Sequence, residues 1–232
     1  MDPSRPSHLK HREALREELA AELTTMGLRP GPVVLDRCLD YWELLKNANQ
    51  RLNLISSEDL KEGAVRHIGD ALAALAHWFP PAPGRLLDVG SGGGLPGIPL
   101  ALAAPDLKAT LLESRERKSD WLARILRGLD VADRVRVRTG RVEEQSPEWV
   151  GGFDLLTARA VAPPDRILDW CAPLMRPGQV LLLWQSDEQQ TRLGEIIAKS
   201  RYSNVLTVTH TLSYQFTSIS FTSNINSIMR TH

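Results

Sequence analysis

The chain has 232 residues, with 28 Lys and Arg balanced by 28 Asp and Glu and aromatic residues making up 6%. That length fits one large domain, or one domain with an appended cap, rather than two independent catalytic domains. The balanced charge argues against a strongly basic nucleic-acid-coating protein and against a charge-driven disordered chain. Cys38 and Cys171 lie far apart with no C-x-x-C spacing, which speaks against a zinc site or a disulfide framework. No run approaches the roughly 18 apolar residues of a membrane span. Glu13, Glu17 and Glu18 make the amino terminus too acidic for a targeting peptide. A cytoplasmic protein without membrane or metal partners is expected.

Leu15, Leu19 and Leu23 recur at helical spacing and predict a helix from about Leu9 to Met26, stopped by Gly27 and Pro30. A second helix is expected from Val33 to Ala48, where Leu35, Leu39, Trp42 and Leu45 share a face, and a third starts near Ser57. Residues 1–79 therefore read as a helical cap. Pro80-Pro81-Ala82-Pro83-Gly84 ends it, because such a run cannot continue a helix. Residues 80–201 then alternate. Strands are predicted at Leu86–Val89, Ala109–Glu113, Val135–Thr139, Phe153–Ala158 and Gln179–Trp184. Helices are predicted at Gly97–Ala103, Lys118–Leu129, Asp165–Leu174 and Asp187–Lys199. Such alternation builds an α/β, Rossmann-like parallel sheet with helices on both faces. Residues 202–232 change character: fifteen are Ser, Thr or Asn, and alternation at Val205–Thr209 and Phe216–Phe221 suggests two closing strands.

The most informative stretch is Asp88-Val89-Gly90-Ser91-Gly92-Gly93-Gly94-Leu95-Pro96-Gly97, between the first strand and its helix. Alternating glycines at 90, 92 and 94 let the backbone turn sharply and approach a ligand where a Cβ would clash. In an open sheet this loop lies at the carboxyl edge, where ligands bind. A dinucleotide loop presents helix N–H groups to a pyrophosphate. A leading carboxylate such as Asp88 instead suits a cofactor bearing a sulfonium and an ammonium, and the loop reads as a site for S-adenosylmethionine. Glu113, closing the second strand, can accept both ribose hydroxyls, with a solvated strand-end carboxylate as the competing reading. Gly140-Arg141-Val142-Glu143-Glu144 follows the third strand. There it either flanks the adenine, with Val142 on its face, or is an ordinary acidic turn. Arg159, after the fourth strand, either stands beside the space where donor and acceptor meet, a catalytic placement, or belongs to a structural ion pair.

Between Arg115 and Arg141 nine Lys or Arg face four acids, a basic balance compatible with an RNA backbone and equally with a solvated helix face. Ala162-Pro163-Pro164-Asp165 lacks the polar start and aromatic end common in amino-nitrogen methyltransferases, and neither Cys sits where a cytosine-C5 nucleophile would. Purine N7 remains attractive, because its lone pair can attack a sulfonium methyl without a general base.

With these residues in view, the chain resembles the bacterial GidB (RsmG) family of small-subunit rRNA 7-methylguanosine methyltransferases, over about Leu39 to Gln179. The most specific match is Leu87 to Leu100, with its Leu95-Pro96-Gly97 continuation. Asn49 with Asn53-Leu54, Arg66-His67-Ile68 with Asp70, Leu111–Ser114 followed by Lys118, Arg141–Glu144 and Arg159-Ala160 support it. The resemblance implies a class I S-adenosylmethionine-dependent fold and donor contacts at Gly90, Leu95, Val142, Glu143 and Arg159, with Glu113 on the ribose. It also implies 16S rRNA or the small ribosomal subunit as partner. Two departures stand out: Trp184-Gln185-Ser186 replaces the family's Lys-Gly after the fifth strand, and the carboxyl-terminal segment is unlike the family's. Two other functions compete. Gly92-x-Gly94-x-x-Gly97 satisfies a dinucleotide spacing, which would make a nicotinamide oxidoreductase, and the departures would fit a non-catalytic paralogue that binds donor and RNA.

Overall fold

The computed structural model describes residues 5–76, 84–144, 149–176, 178–185, 195–196, 199, 206–213 and 217–223. Three helices come first: α1 (Arg5–Thr25), α2 (Pro32–Leu52) and α3 (Ser57–Ala73). Pro32 starts α2, where its fixed φ suits the first turn, and Asn53 ends it in the left-handed region at φ 47. That cap carries α2 four residues past the expected Ala48. A reciprocal capping box between Ser56 and Asp59 starts α3.

The alternating region forms β1 (Arg85–Val89), α4 (Gly97–Ala103), β2 (Lys108–Glu113), α5 (Glu116–Gly128), β3 (Val135–Thr139), β4 (Leu155–Arg159), α6 (Pro164–Cys171) and β5 (Val180–Gln185). Two further strands, β6 (Leu206–Ser213) and β7 (Thr217–Ser223), follow. The fourth strand thus runs two residues later than its apolar pattern suggested at the start, and α5 begins at Glu116 rather than Lys118. The helix expected over Asp187–Lys199 falls largely outside the described residues. The sheet order is β3-β2-β1-β4-β5-β7-β6. Strands β1 to β5 are parallel, while β7 pairs antiparallel with both β5 and β6.

Central strands are buried along nearly their whole length, as parallel strands covered on both faces must be. One apolar cluster lies on the cap side. It joins Leu19 and Leu23 of α1, Leu45 of α2 and Ile68 and Leu72 of α3 to Ile98 of α4, Leu122 of α5 and Leu86, Leu111 and Leu182 of the sheet. The helical cap and the sheet therefore share one core. A second cluster, on the opposite face, packs α6 through Ile167 and Leu168 onto Leu87, Val89, Leu156 and Leu181. Among the described residues no α-helix links β3 to β4; 3-10 geometry occurs at Val142–Glu144 and again at Trp149. The edge strand β3 consequently leaves Arg136 and Arg138 exposed.

Candidate active site

The cleft opens at the carboxyl ends of β1, β2 and β4, with the α2–α3 connection as its other wall. It encloses about 670 Å³ and is lined by the loop at Gly90–Gly93, by Leu95, Glu113 to Arg115, Lys118 and Arg159, and by Asn53 to Ser57, Asp59 and His67 from the cap. That volume lies within the roughly 300–1,000 Å³ typical of small-molecule sites.

The loop needs glycine where it turns. Gly90 sits at φ +67, and a Cβ there would come within 2.7 Å of both γ-carbons of Val161. Gly92 adopts φ +55, and its N–H donates to Glu113 Oε2 at 2.9 Å. Glu113 Oε1 accepts the Arg115 N–H at 2.7 Å. Two backbone donors thus fix the carboxylate at the cleft wall; Oε1 also accepts the Ser114 hydroxyl at 3.5 Å, and Oε2 keeps a lone pair for a further donor such as a ribose hydroxyl. From behind, the Tyr41 hydroxyl of α2 donates to the Gly93 carbonyl at 2.7 Å in a buried setting. Asn49 shapes the facing wall: its Oδ1 accepts the N–H groups of Leu54 and Ile55, and its amide donates to the Ile55 carbonyl.

Arg159, at the end of β4, is gripped by α3. Its Nη1 lies 3.2 Å from Asp70 Oδ2, and its Nη2 lies 2.6 Å from His67 Nδ1. A guanidinium can only donate, so Nδ1 accepts and the imidazole proton sits on Nε2, which faces the Asp59 carbonyl at 2.8 Å. Burial, with Arg159 adding to it, pushes His67 down to about 4, which agrees with a neutral ring. Trp42 of α2 stacks on that ring, centroids 5.5 Å apart. Burial raises the Asp70 carboxyl to about 6, and Arg159 is the largest opposing influence. Asp59, Glu62 and His67 offer ligand atoms within 4.8 Å of one another. The His67 nitrogen on that side carries its proton toward a carbonyl, so it presents no lone pair to a cation.

Several expected site residues stand elsewhere. Asp88 is fully buried and does not line the cleft: its Oδ1 accepts the Thr157 hydroxyl at 2.7 Å, and burial lifts its carboxyl to about 6. It holds the loop against β4 rather than facing a ligand. Gly94 also lies behind the wall, where a Cβ would strike Ile98 at 2.4 Å. The Gly140 N–H donates to the Glu113 carbonyl, so the β3 loop starts beside the cleft. Val142 nevertheless packs into the α6-side core and Glu143 is exposed, and neither lines the cleft. Gly90, Gly92, Leu95, Glu113 and Arg159 do come together there. Tyr41 and Asn49 carry the cap side of the site; the Tyr41 partner lies 52 residues on, beyond any local pattern, whereas Asn49 bonds the turn at Leu54 and Ile55.

A glycine cradle, a fixed carboxylate at the end of the second parallel strand and a cleft of nucleoside size define a class I S-adenosylmethionine-dependent methyltransferase. Solved structures of that fold are similar. The mitomycin 7-O-methyltransferase MmcR has a TM-score of 0.56 at 18% identity, covering 90% of this chain and 67% of that one. An RNA methyltransferase from Salinibacter ruber, in complex with S-adenosyl-L-homocysteine, has a TM-score of 0.51 at 16% identity, covering 66% and 88%. The family model described as rRNA small subunit methyltransferase G matches residues 35–216, and the chain belongs to that family. A ribosomal RNA small subunit methyltransferase G from Sorangium cellulosum is 35% identical over 197 residues, 83% of this chain and 82% of the relative. One from Neisseria meningitidis is 38% identical over 181 residues, covering 78% and 84%. The nicotinamide reading of the glycine spacing gives way to this match. No helix among the described residues is long and apolar enough to cross a membrane.

Proposed function

We propose that this protein methylates N7 of a guanine in 16S rRNA of the small ribosomal subunit. The supporting observation is that, among the described side chains of the cleft, no imidazole or thiol stands ready to remove a proton, while the Lys118 ammonium is lowered by burial and held up by Glu113. His67 commits one ring nitrogen to Arg159 and the other to Asp59. Glu113 is engaged by two backbone N–H groups. Cys38 and Cys171 are buried outside the cleft, and burial pushes both thiols up to about 12. Such a site suits an acceptor that already presents a lone pair, because catalysis then reduces to alignment and exclusion of water.

S-adenosylmethionine, when bound, supplies a methyl group on a sulfonium, which guanine N7 takes by direct displacement with no proton to remove. Gly90 and Gly92 give the donor room against the backbone, Leu95 provides an apolar contact, and Glu113 accepts the ribose hydroxyls. Arg159, fixed by Asp70 and His67, presents a rigid guanidinium to the reacting end of the cleft. Asp88 acts indirectly, by anchoring the loop.

The test is transfer of labelled methyl from S-adenosylmethionine into deproteinised small subunits, followed by reduction and aniline treatment, which cleaves RNA at 7-methylguanosine. Label in the RNA with a single new cleavage site is expected. Absence of label under saturating donor would overturn the activity, and label without cleavage would overturn the N7 assignment.

A further inference from the structure

The α6 side of the sheet is covered only in part. The packing of this side stops short of the sheet edge, so β3 and the amino-terminal end of β2 present cationic side chains, with Lys108, Arg136 and Arg138 exposed. Lys108 and Thr110 of β2 share this face with Arg136 and Arg138 of β3. The register pairs Thr110 with Arg136 and Leu112 with Arg138, and Arg136 Nε donates to Thr110 Oγ1 at 3.1 Å. At the amino-terminal end of the strands the face deepens into a trough of about 470 Å³, lined by Arg85, Lys108, Thr110, Arg134 and Arg136 with Trp149 as a wall. Asp133 also lines it, and Asp154 lies 3.5 Å from Arg85, so four cations meet two acids. Arg134 Nη1 bonds the Leu107 carbonyl at 3.2 Å, which spends one of five guanidinium donors and leaves the others for an anion. Arg138 has no ion pair among the described residues.

Side chains two apart on a strand stand about 7 Å apart, close to the step between successive phosphates of a nucleic-acid strand. From Arg134 in the turn before β3, through Arg136 and Arg138 on the strand, the row therefore rises in phosphate-sized steps from the trough to Thr139, which is in register with Glu113 at the donor cleft. Lys108 and Glu113 lie five residues apart on β2, about 17 Å of strand.

We propose that this cationic edge of the sheet is an RNA track. Lys108, Arg134, Arg136 and Arg138 take backbone phosphates of the rRNA flanking the target base and lead the strand along the β3 edge to the cleft. The proposal rests on the rRNA substrate assigned above. A plainer account is that charge on an edge strand blocks pairing with other chains. That account needs charge of either sign, whereas a track needs positive charge.

The experiment compares the unmodified protein with R136Q/R138Q, R136K/R138K, R136E/R138E and K108Q/R138Q, using small subunits as substrate over a salt series. S-adenosylhomocysteine affinity, measured calorimetrically, checks that each variant is folded. The Gln pair is expected to raise KM for the subunit tenfold or more, with donor KM unchanged, and to flatten the log–log salt dependence by about 1.5. The Lys pair should retain most of the binding, and the Glu pair should stay monomeric yet bind worst. K108Q/R138Q, which leaves Arg136 on Thr110, should behave like the Gln pair, and it decides the matter where that pair fails to fold. A folded K108Q/R138Q or R136Q/R138Q protein with unchanged subunit KM and salt slope overturns the track. Failure of the unmodified protein to methylate subunits would instead refute the substrate assignment, a distinguishable result.

Discussion

Replacing Arg159 with Met tests how the cap and the sheet are joined. The substitution keeps an unbranched apolar side chain and removes the guanidinium facing Asp70, whose side chain is 6% exposed against 16% for Arg159. Breaking a buried pair by removing one partner costs about 3–5 kcal/mol when the remaining charge has no escape. Asp70 does have one: its carboxyl already titrates at about 6 beside Arg159, and without that cation its pKa moves further up. A carboxyl whose folded pKa is raised favours folding at low pH and loses that advantage as pH rises through the folded value. The penalty for R159M should therefore be small near pH 6.5, grow by as much as about 1.4 kcal/mol per pH unit up to the new pKa, level off above it, and stay below about 3 kcal/mol at pH 8.5. Urea unfolding followed by tryptophan fluorescence between pH 6.5 and 8.5 measures this. The window stays at or above the ordinary His67 value of 6.5. In R159M/D70N the extra pH dependence should vanish. A penalty independent of pH in R159M, or the same slope in the double variant, would refute the assignment of the effect to Asp70.

Tyr41→Phe removes the hydroxyl that satisfies the Gly93 carbonyl, and should cost about 1–2 kcal/mol, read as a lower melting temperature together with weaker S-adenosylhomocysteine binding. Gly90→Ala places a methyl against Val161 at a positive φ and should weaken donor-product affinity at least tenfold by calorimetry; unchanged affinity would remove this turn from the site. The Cys38 and Cys171 thiols, raised to about 12 by burial, should resist alkylation at pH 8 in the native protein and react once it is unfolded in urea; rapid labelling of the native protein would contradict their placement.

The strands were legible because buried parallel strands read as short apolar runs bounded by turn residues, as at Leu86–Val89 and Thr110–Leu112. The glycine loop was legible for a similar reason, since few residues tolerate its positive φ values. Glu113 followed from its place at a strand end. Asp88 was visible as important, but its task was not, because its partner Thr157 lies 69 residues on and only the β1–β4 register brings the two together. The pairing of Arg159 with His67 spans 92 residues and two layers of the fold. Val142 carries an apolar side chain that fits an adenine contact and a core position equally well, and here the α6-side core takes it. The extended end of α2 rests on Asn53 in a left-handed cap, a conformation that Asn tolerates but does not announce.

The bond from Tyr41 to Gly93 has a corollary for how the molecule breathes. One wall of the nucleoside pocket belongs to the helical cap, so closing the glycine turn and docking α2 should occur together. Occupancy of the pocket should slow amide exchange in α2 and α3 as well as in the loop itself, and a fragment trimmed back to the sheet would be an open, unfinished half of a catalyst.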